Sequence, residues 1–164
     1  MALLSTHAIW FLPFVLLICL YVAYTDLARM KITNKAVGAL ALVFLILGVF
    51  LMPFGDYVWR LAALAIVLVV GIVLNAIGVM GAGDAKFMAA AAPFIALGDL
   101  WVLTVLFMII LTAALIAHRI AKHTPLRNMA PDWVSWDAGK RFPMGLALGP
   151  TLAIYLGLGT LYGN

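Results

Sequence analysis

Apolar residues in this chain come in long blocks separated by short polar breaks, and the blocks fall at residues 7–24, 36–52, 59–80, 87–97, 100–117 and 144–162. A helix needs about 20 mostly apolar residues to cross about 30 Å of hydrocarbon, and five of the blocks approach that length. The fourth does not. It is interrupted by Pro93 and closed by Gly98-Asp99, so it predicts a short, kinked or re-entrant segment. The expected fold is an all-α integral membrane protein, a bundle of six transmembrane helices forming a single polytopic domain over residues 1–164.

Composition leaves no room for a soluble reading. Apolar residues make up 67% of the chain and charged residues 10%, against about 45–50% and about 25% in ordinary globular chains. The first apolar block has no charged region before it and no small-residue cleavage site after it, so it reads as a retained helix and not as a signal peptide. The single cysteine, Cys19, excludes an intrachain disulfide and a cysteine-based zinc site. His118 and His123 do not share a helix face, and His7 lies toward the other side of the membrane, so neither a metal nor another cofactor is expected.

The net charge of +4 is scattered over the polar breaks, with no basic run of the kind that binds nucleic acid. It reports orientation instead. With six crossings, nine of the ten Lys and Arg residues fall on one side, five of them in the long loop of residues 118–141 (Arg119, Lys122, Arg127, Lys140 and Arg141); only Arg60 falls on the other. The positive-inside rule places that side in the cytoplasm and both termini outside.

All six acidic residues are Asp, and two of them carry the chemistry. Asp84 sits between two apolar runs in Gly81-Ala82-Gly83-Asp84, and an ionisable group near hydrocarbon is costly enough to be read as functional. Asp26 closes the first block on the same membrane face, whereas Asp56 and Asp99 fall on the opposite face. A pair of carboxylates at one depth holds one proton between them. The ionised member takes a proton from an attacking water, and the protonated member stabilises the carbonyl oxygen. Taken singly, each Asp has a plainer reading: Asp84 as the N-cap of the fourth helix, Asp26 as an interfacial residue beside Arg29. A small proton-coupled transporter and a purely structural subunit stay open as well, although no inverted repeat of the transporter kind is present.

Gly81-Ala82-Gly83-Asp84-Ala85-Lys86 resembles the G-x-G-D-x-K signature of the type IV prepilin peptidases, within the GxGD intramembrane aspartyl proteases. The stretch Asp26-Leu27-Ala28-Arg29-Met30-Lys31-Ile32-Thr33-Asn34 is similar to that family's first motif, with Thr33 where a proline is usual. Phe142-Pro143-Met144-Gly145 is similar to its late Pro-aromatic-Gly, with Met144 in the aromatic position. The resemblance implies a prepilin leader peptidase that cleaves the short basic leader of type IV pilin-like precursors at the cytoplasmic face of the inner membrane, with Asp26 and Asp84 as catalytic dyad and no metal or cofactor. The length matches the peptidase-only form associated with tight-adherence (Flp-type) pili. Archaeal-type preflagellins and secretion pseudopilins are alternative substrates for the same chemistry. The partners implied are the precursor's leader and transmembrane helix, and the lipid bilayer; the oligomeric state is left open.

Around the dyad, Gly81, Gly83, Lys86, Asn34, Pro143 and Gly145 are the candidate supporting residues. Lys86 is expected as a cytoplasmic anchor and Asn34 as a cap of the second helix. Trp133 and Trp136 suggest a segment lying against lipid headgroups, and Gly71, Gly78, Gly145 and Gly149 suggest close helix packing.

Overall fold

The computed structural model of the chain describes residues 1–139 and 141–164; Lys140, counted above in the basic loop, lies outside them. Six α-helices account for most of the described residues, and no strand occurs among them: α1 (Ser5–Arg29), α2 (Asn34–Leu51), α3 (Phe54–Ala76), α4 (Ala82–Ala91), α5 (Leu100–Lys122) and α6 (Gly145–Tyr162). All but α4 are long and apolar enough to cross a membrane.

The helices overrun the apolar blocks where polar residues follow. A helix satisfies its own backbone whatever its side chains, so α1 continues past Tyr24 and carries Asp26 inside its last turns. The Asp is therefore held on a helix, not in the polar segment expected after it. It is Met30, in the left-handed region at φ 52, that ends α1. Likewise α5 runs on to Lys122 and takes His118 into the bundle.

Thr33 caps α2, its Oγ1 accepting from the Ala36 amide at 3.2 Å. The cap is thus not Asn34, as expected, but the residue standing where the related motif has proline. The Gly81–Asp84 stretch, between two apolar runs, opens a helix. Gly81 is the N-cap of α4, with Gly83 and Asp84 already in its first turn. A turn lies just before, where Gly78 adopts φ +76 with open space around it. Gly78 is therefore a turn residue and makes no helix packing.

The core lies between α1 and α6, with α2 against α1 and α4 against α3 and α2. Phe11, Phe44 and Phe94 interlock there, with ring centroids 4.9 to 5.8 Å apart. Backbones approach closely at three glycines: a Cβ on Gly149 would stand 2.8 Å from the Cys19 carbonyl oxygen, one on Gly71 2.9 Å from Ala85 Cβ, and one on Gly145 2.9 Å from Asp26 Cβ.

The two termini share one end of the bundle, where the Ser5 amide donates to the Asn164 carbonyl at 3.1 Å. Asp99 lies at that same end, accepting from the amides of Ala2 and Leu3. Asp26 lies at the other end, against the start of α6.

Residues 82–99 run between these two ends. The ten residues of α4 cover about 15 Å at 1.5 Å per residue, and Pro93 prevents the helix from continuing. The remainder consists of the 3-10 turns Ala92–Phe94 and Leu97–Asp99. Broken backbone at membrane depth must find partners in the protein, and it does. Arg60 Nη1 donates to the Pro93 carbonyl at 2.8 Å, and the Ala96 amide donates to Tyr155 Oη at 3.1 Å. Tyr155 in turn donates to Asp99 at 2.9 Å.

Candidate active site

The consequence of a half-length α4 is a cavity. Both α3 and α5 reach the full height of the bundle, yet Gly71 and His118 are their only buried residues among those described. Between them, over α4, opens a space of about 1600 Å³. Its flanks are apolar, with Ile66 and Val67 from α3 and Leu103 and Phe107 from α5; Asp26 and Asp84 line one end of it.

Asp26 is 5% exposed, and its Oδ2 accepts from the Gly145 amide at 2.6 Å. That amide is the first of α6, where helix N–H groups have no partner within the helix and the dipole favours an anion. Gly145 must lack a side chain, since a Cβ there would also stand 3.0 Å from Asp26 Oδ2. Pro143 is fully buried just ahead of it, and its carbonyl accepts from the Leu146 amide at 3.1 Å.

Asp84 occupies the first turn of α4, ahead of its apolar run. Its Oδ2 folds back over Gly81, 2.7 Å from where a Cβ on that glycine would be. The capping alternative is not what α4 shows: Gly81, not Asp84, is the N-cap, and the Asp lies over it from three residues on. Gly83 meets Ile32, whose Cβ would be 3.3 Å from an added Cβ, so the two motif regions touch. Burial pushes the Asp84 carboxyl up to about 6, and the neighbouring charge of Asp26 adds to the rise. Two neighbouring carboxylates of this kind favour sharing a single proton, and the titration belongs to the pair.

Lys86 and Asn34 also meet. Lys86 Nζ donates to Asn34 Oδ1 at 3.2 Å, and both side chains line the cavity beside the carboxylates. This bond ties α2 to α4, a more specific contact than a free anchor would make.

Of the two tryptophans expected against headgroups, Trp136 turns inward and Trp133 is half-buried. Trp136 is 3% exposed and stacks on His118 at 5.1 Å, while Trp133 packs between Trp136 and Tyr24. No group of three or more His, Cys, Asp or Glu among the described residues is placed to hold a metal ion.

Sequence reasoning did not find the knot of Asp99, Tyr155 and Ala96, or the support Arg60 gives to Pro93. The available signal was Pro93 itself: its ring breaks a helix at membrane depth, and the freed carbonyls and amides require polar partners elsewhere in the chain.

Five membrane-length helices around a broken sixth segment, with two carboxylates lining one end of the cavity between them, define a multi-pass membrane protein with an acidic site. The sequence profile of the type IV leader peptidase family matches residues 13–117. The match takes in well over half of the chain, including both Asp26 and Asp84, and the chain belongs to that family of peptidases. No curated protein and no solved structure matches it.

Proposed function

We propose that this protein is an aspartyl prepilin leader peptidase in which Asp26 and Asp84 activate water. The observation that carries the reading is that both carboxylates line one end of a single cavity, one accepting from the Gly145 amide and the other folded over Gly81. The ionised Asp26 removes a proton as the water oxygen attacks the scissile carbonyl carbon, and the protonated Asp84 donates to the carbonyl oxygen. Collapse of the tetrahedral species breaks the C–N bond and returns the proton from Asp26 to the leaving nitrogen. Titration belongs to the pair, so the two roles describe one protonation state of it.

Gly81, Gly83, Pro143 and Gly145 position the two carboxylates, and the Lys86–Asn34 bond holds the two motifs in register. The apolar flanks between α3 and α5 accept the precursor's transmembrane helix, and the leader extends past the dyad. Of the nine basic residues among those described, all but Arg60 fall on the dyad's side, which supports a cytoplasmic face of the inner membrane for the site and the outside for both termini. Residues 1–164 act as one peptidase unit.

Co-expression with a candidate precursor, followed by N-terminal sequencing of the product, tests the reading. Cleavage after the leader is expected from the native protein. None is expected from Asp26→Asn or Asp84→Asn, both still inserted in the membrane. Processing by either variant would falsify the dyad.

A further inference from the structure

The far end of the cavity, beside the two termini, holds polar groups that the chemistry at Asp26 and Asp84 leaves unused. His7 of α1 and Asp56 and Arg60 of α3 line it together. His7 is 7% exposed, yet its Nδ1 has no hydrogen-bond partner among the described residues, and buried polar atoms are seldom left bare. Arg60 gives one N–H to the Pro93 carbonyl, and a guanidinium carries further donors. Asp56 stands one helical turn before Arg60 on the same face of α3.

The charges here balance. Arg60 and the N-terminal ammonium stand against the two carboxylates of Asp56 and Asp99, and Asp99 is already occupied by the Ala2 and Leu3 amides and the Tyr155 hydroxyl. With no net positive charge to hold an anion, the cluster suits an uncharged group that both donates and accepts. A neutral imidazole nitrogen serves either purpose according to its tautomer.

We infer that His7, Arg60 and Asp56 form a recognition site for a neutral hydrogen-bonding side chain, a carboxamide or a hydroxyl, carried on the apolar helix of the substrate. The inference rests on the peptidase reading above, and it adds a register. Gly71 is level with Ala85, the neighbour of Asp84. Arg60 precedes Gly71 by about eleven residues of α3, or roughly 16 Å of helix. A substrate helix whose scissile bond lies at the dyad therefore presents to this cluster a residue about eleven positions further on.

The test uses the purified full-length protein in zwitterionic lipid nanodiscs and a set of synthetic precursors. Each has a lysine-rich leader ending in glycine and a leucine-alanine helix of about 20 residues, with a single Gln placed in turn at roughly positions 7 to 15 after the scissile bond. In the native protein kcat/KM should peak at one or two neighbouring positions, roughly five- to tenfold above the helix without Gln, as one buried hydrogen bond allows. In His7→Leu and His7→Phe the peak should flatten. Each ratio is taken within one variant, so it does not depend on how much of that variant folds.

A flat scan in the native protein overturns the site while leaving the peptidase intact, and so does a peak that survives both His7 substitutions. A flat scan whose rate instead follows added anionic lipid would assign the cluster to headgroups. No cleavage of any precursor would sink the peptidase reading, and this site with it.

Discussion

The Gly145 amide donates to the Asp26 carboxylate at 2.6 Å across 119 residues of sequence. The family match ends at residue 117, so this partner of the first catalytic candidate lies outside the matched stretch. The bond joins the last turns of α1 to the first residue of α6. Gly145→Ala should therefore act on chemistry as well as on folding. The added methyl would stand 2.9 Å from Asp26 Cβ and 3.0 Å from Oδ2, displacing the carboxylate from its cradle. We expect precursor cleavage to fall by about 10²-fold, the scale of loss that follows a small misplacement of a reacting group. A lowered Tm in detergent should accompany the loss, because the methyl presses on the Cβ of a buried residue, and activity near the native level would count against the cradle.

Asp84 makes stability depend on pH. Its carboxyl is raised from an ordinary 3.8 to about 6, by burial first and by Asp26 second. The folded state therefore binds this proton more tightly than the unfolded chain does. The stabilisation is fully present below about pH 3.8 and is lost as pH rises through about 6. Asp84→Asn removes the dependence. Its Tm should exceed that of the native protein at pH 7 to 8, by about 2–4 °C per kcal/mol of relief, and the gain should shrink as pH falls below about 6. Thermal melts of both proteins from pH 4 to 8 check this, and a Tm difference of the same size throughout would refute the burial argument.

Thr33 gives α2 a side-chain cap where the related motif has proline. Thr33→Ala leaves the Ala36 amide without its acceptor and should cost about 1 kcal/mol. Chemical unfolding in detergent measures it. A loss no larger than that of a neighbouring surface substitution such as Lys35→Ala would remove the cap from the account.

Lys86 and Asn34 predict a coupling. If their 3.2 Å bond is what each contributes, then Lys86→Met and Asn34→Ala should slow cleavage by similar small factors. The double variant should be no slower than either single one. Both side chains are exposed, so raised salt should weaken the effect only slightly for a charged-to-neutral bond. Effects that multiply in the double variant would show that the two residues act separately.

Much of the architecture was readable from polarity alone, because hydrocarbon thickness imposes a length on every crossing. The five long helices and the broken fourth segment follow from that ruler and from Pro93. The ruler responds to side chains, however, and helices end for backbone reasons. For that reason His118, counted in the long loop, proved helical, Asp26 lies on α1 beyond the end of the first apolar block, and Gly81–Asp84, between two apolar runs, proved to be the start of α4. The motif residues could be named from resemblance, but their pairwise geometry could not. Nothing local to Lys86 or Asn34 announces their bond. Nor does Thr33 announce that it takes over the cap, because a proline in its place would need no side-chain oxygen. The knot at Asp99 depends on Tyr155, which comes from another helix, so no window of sequence contains it.

The half-length α4 has a further consequence for the supply of reactants. Hydrolysis consumes a peptide bond and a molecule of water, and the two prefer opposite solvents. The dyad end of the cavity is rimmed by Lys31, Lys86 and Arg141, whereas the flanks between α3 and α5 are hydrocarbon-like. Under the proposed reading, water would enter past the cationic rim and an apolar substrate helix sideways from the lipid, each reaching the carboxylates without crossing the other's path.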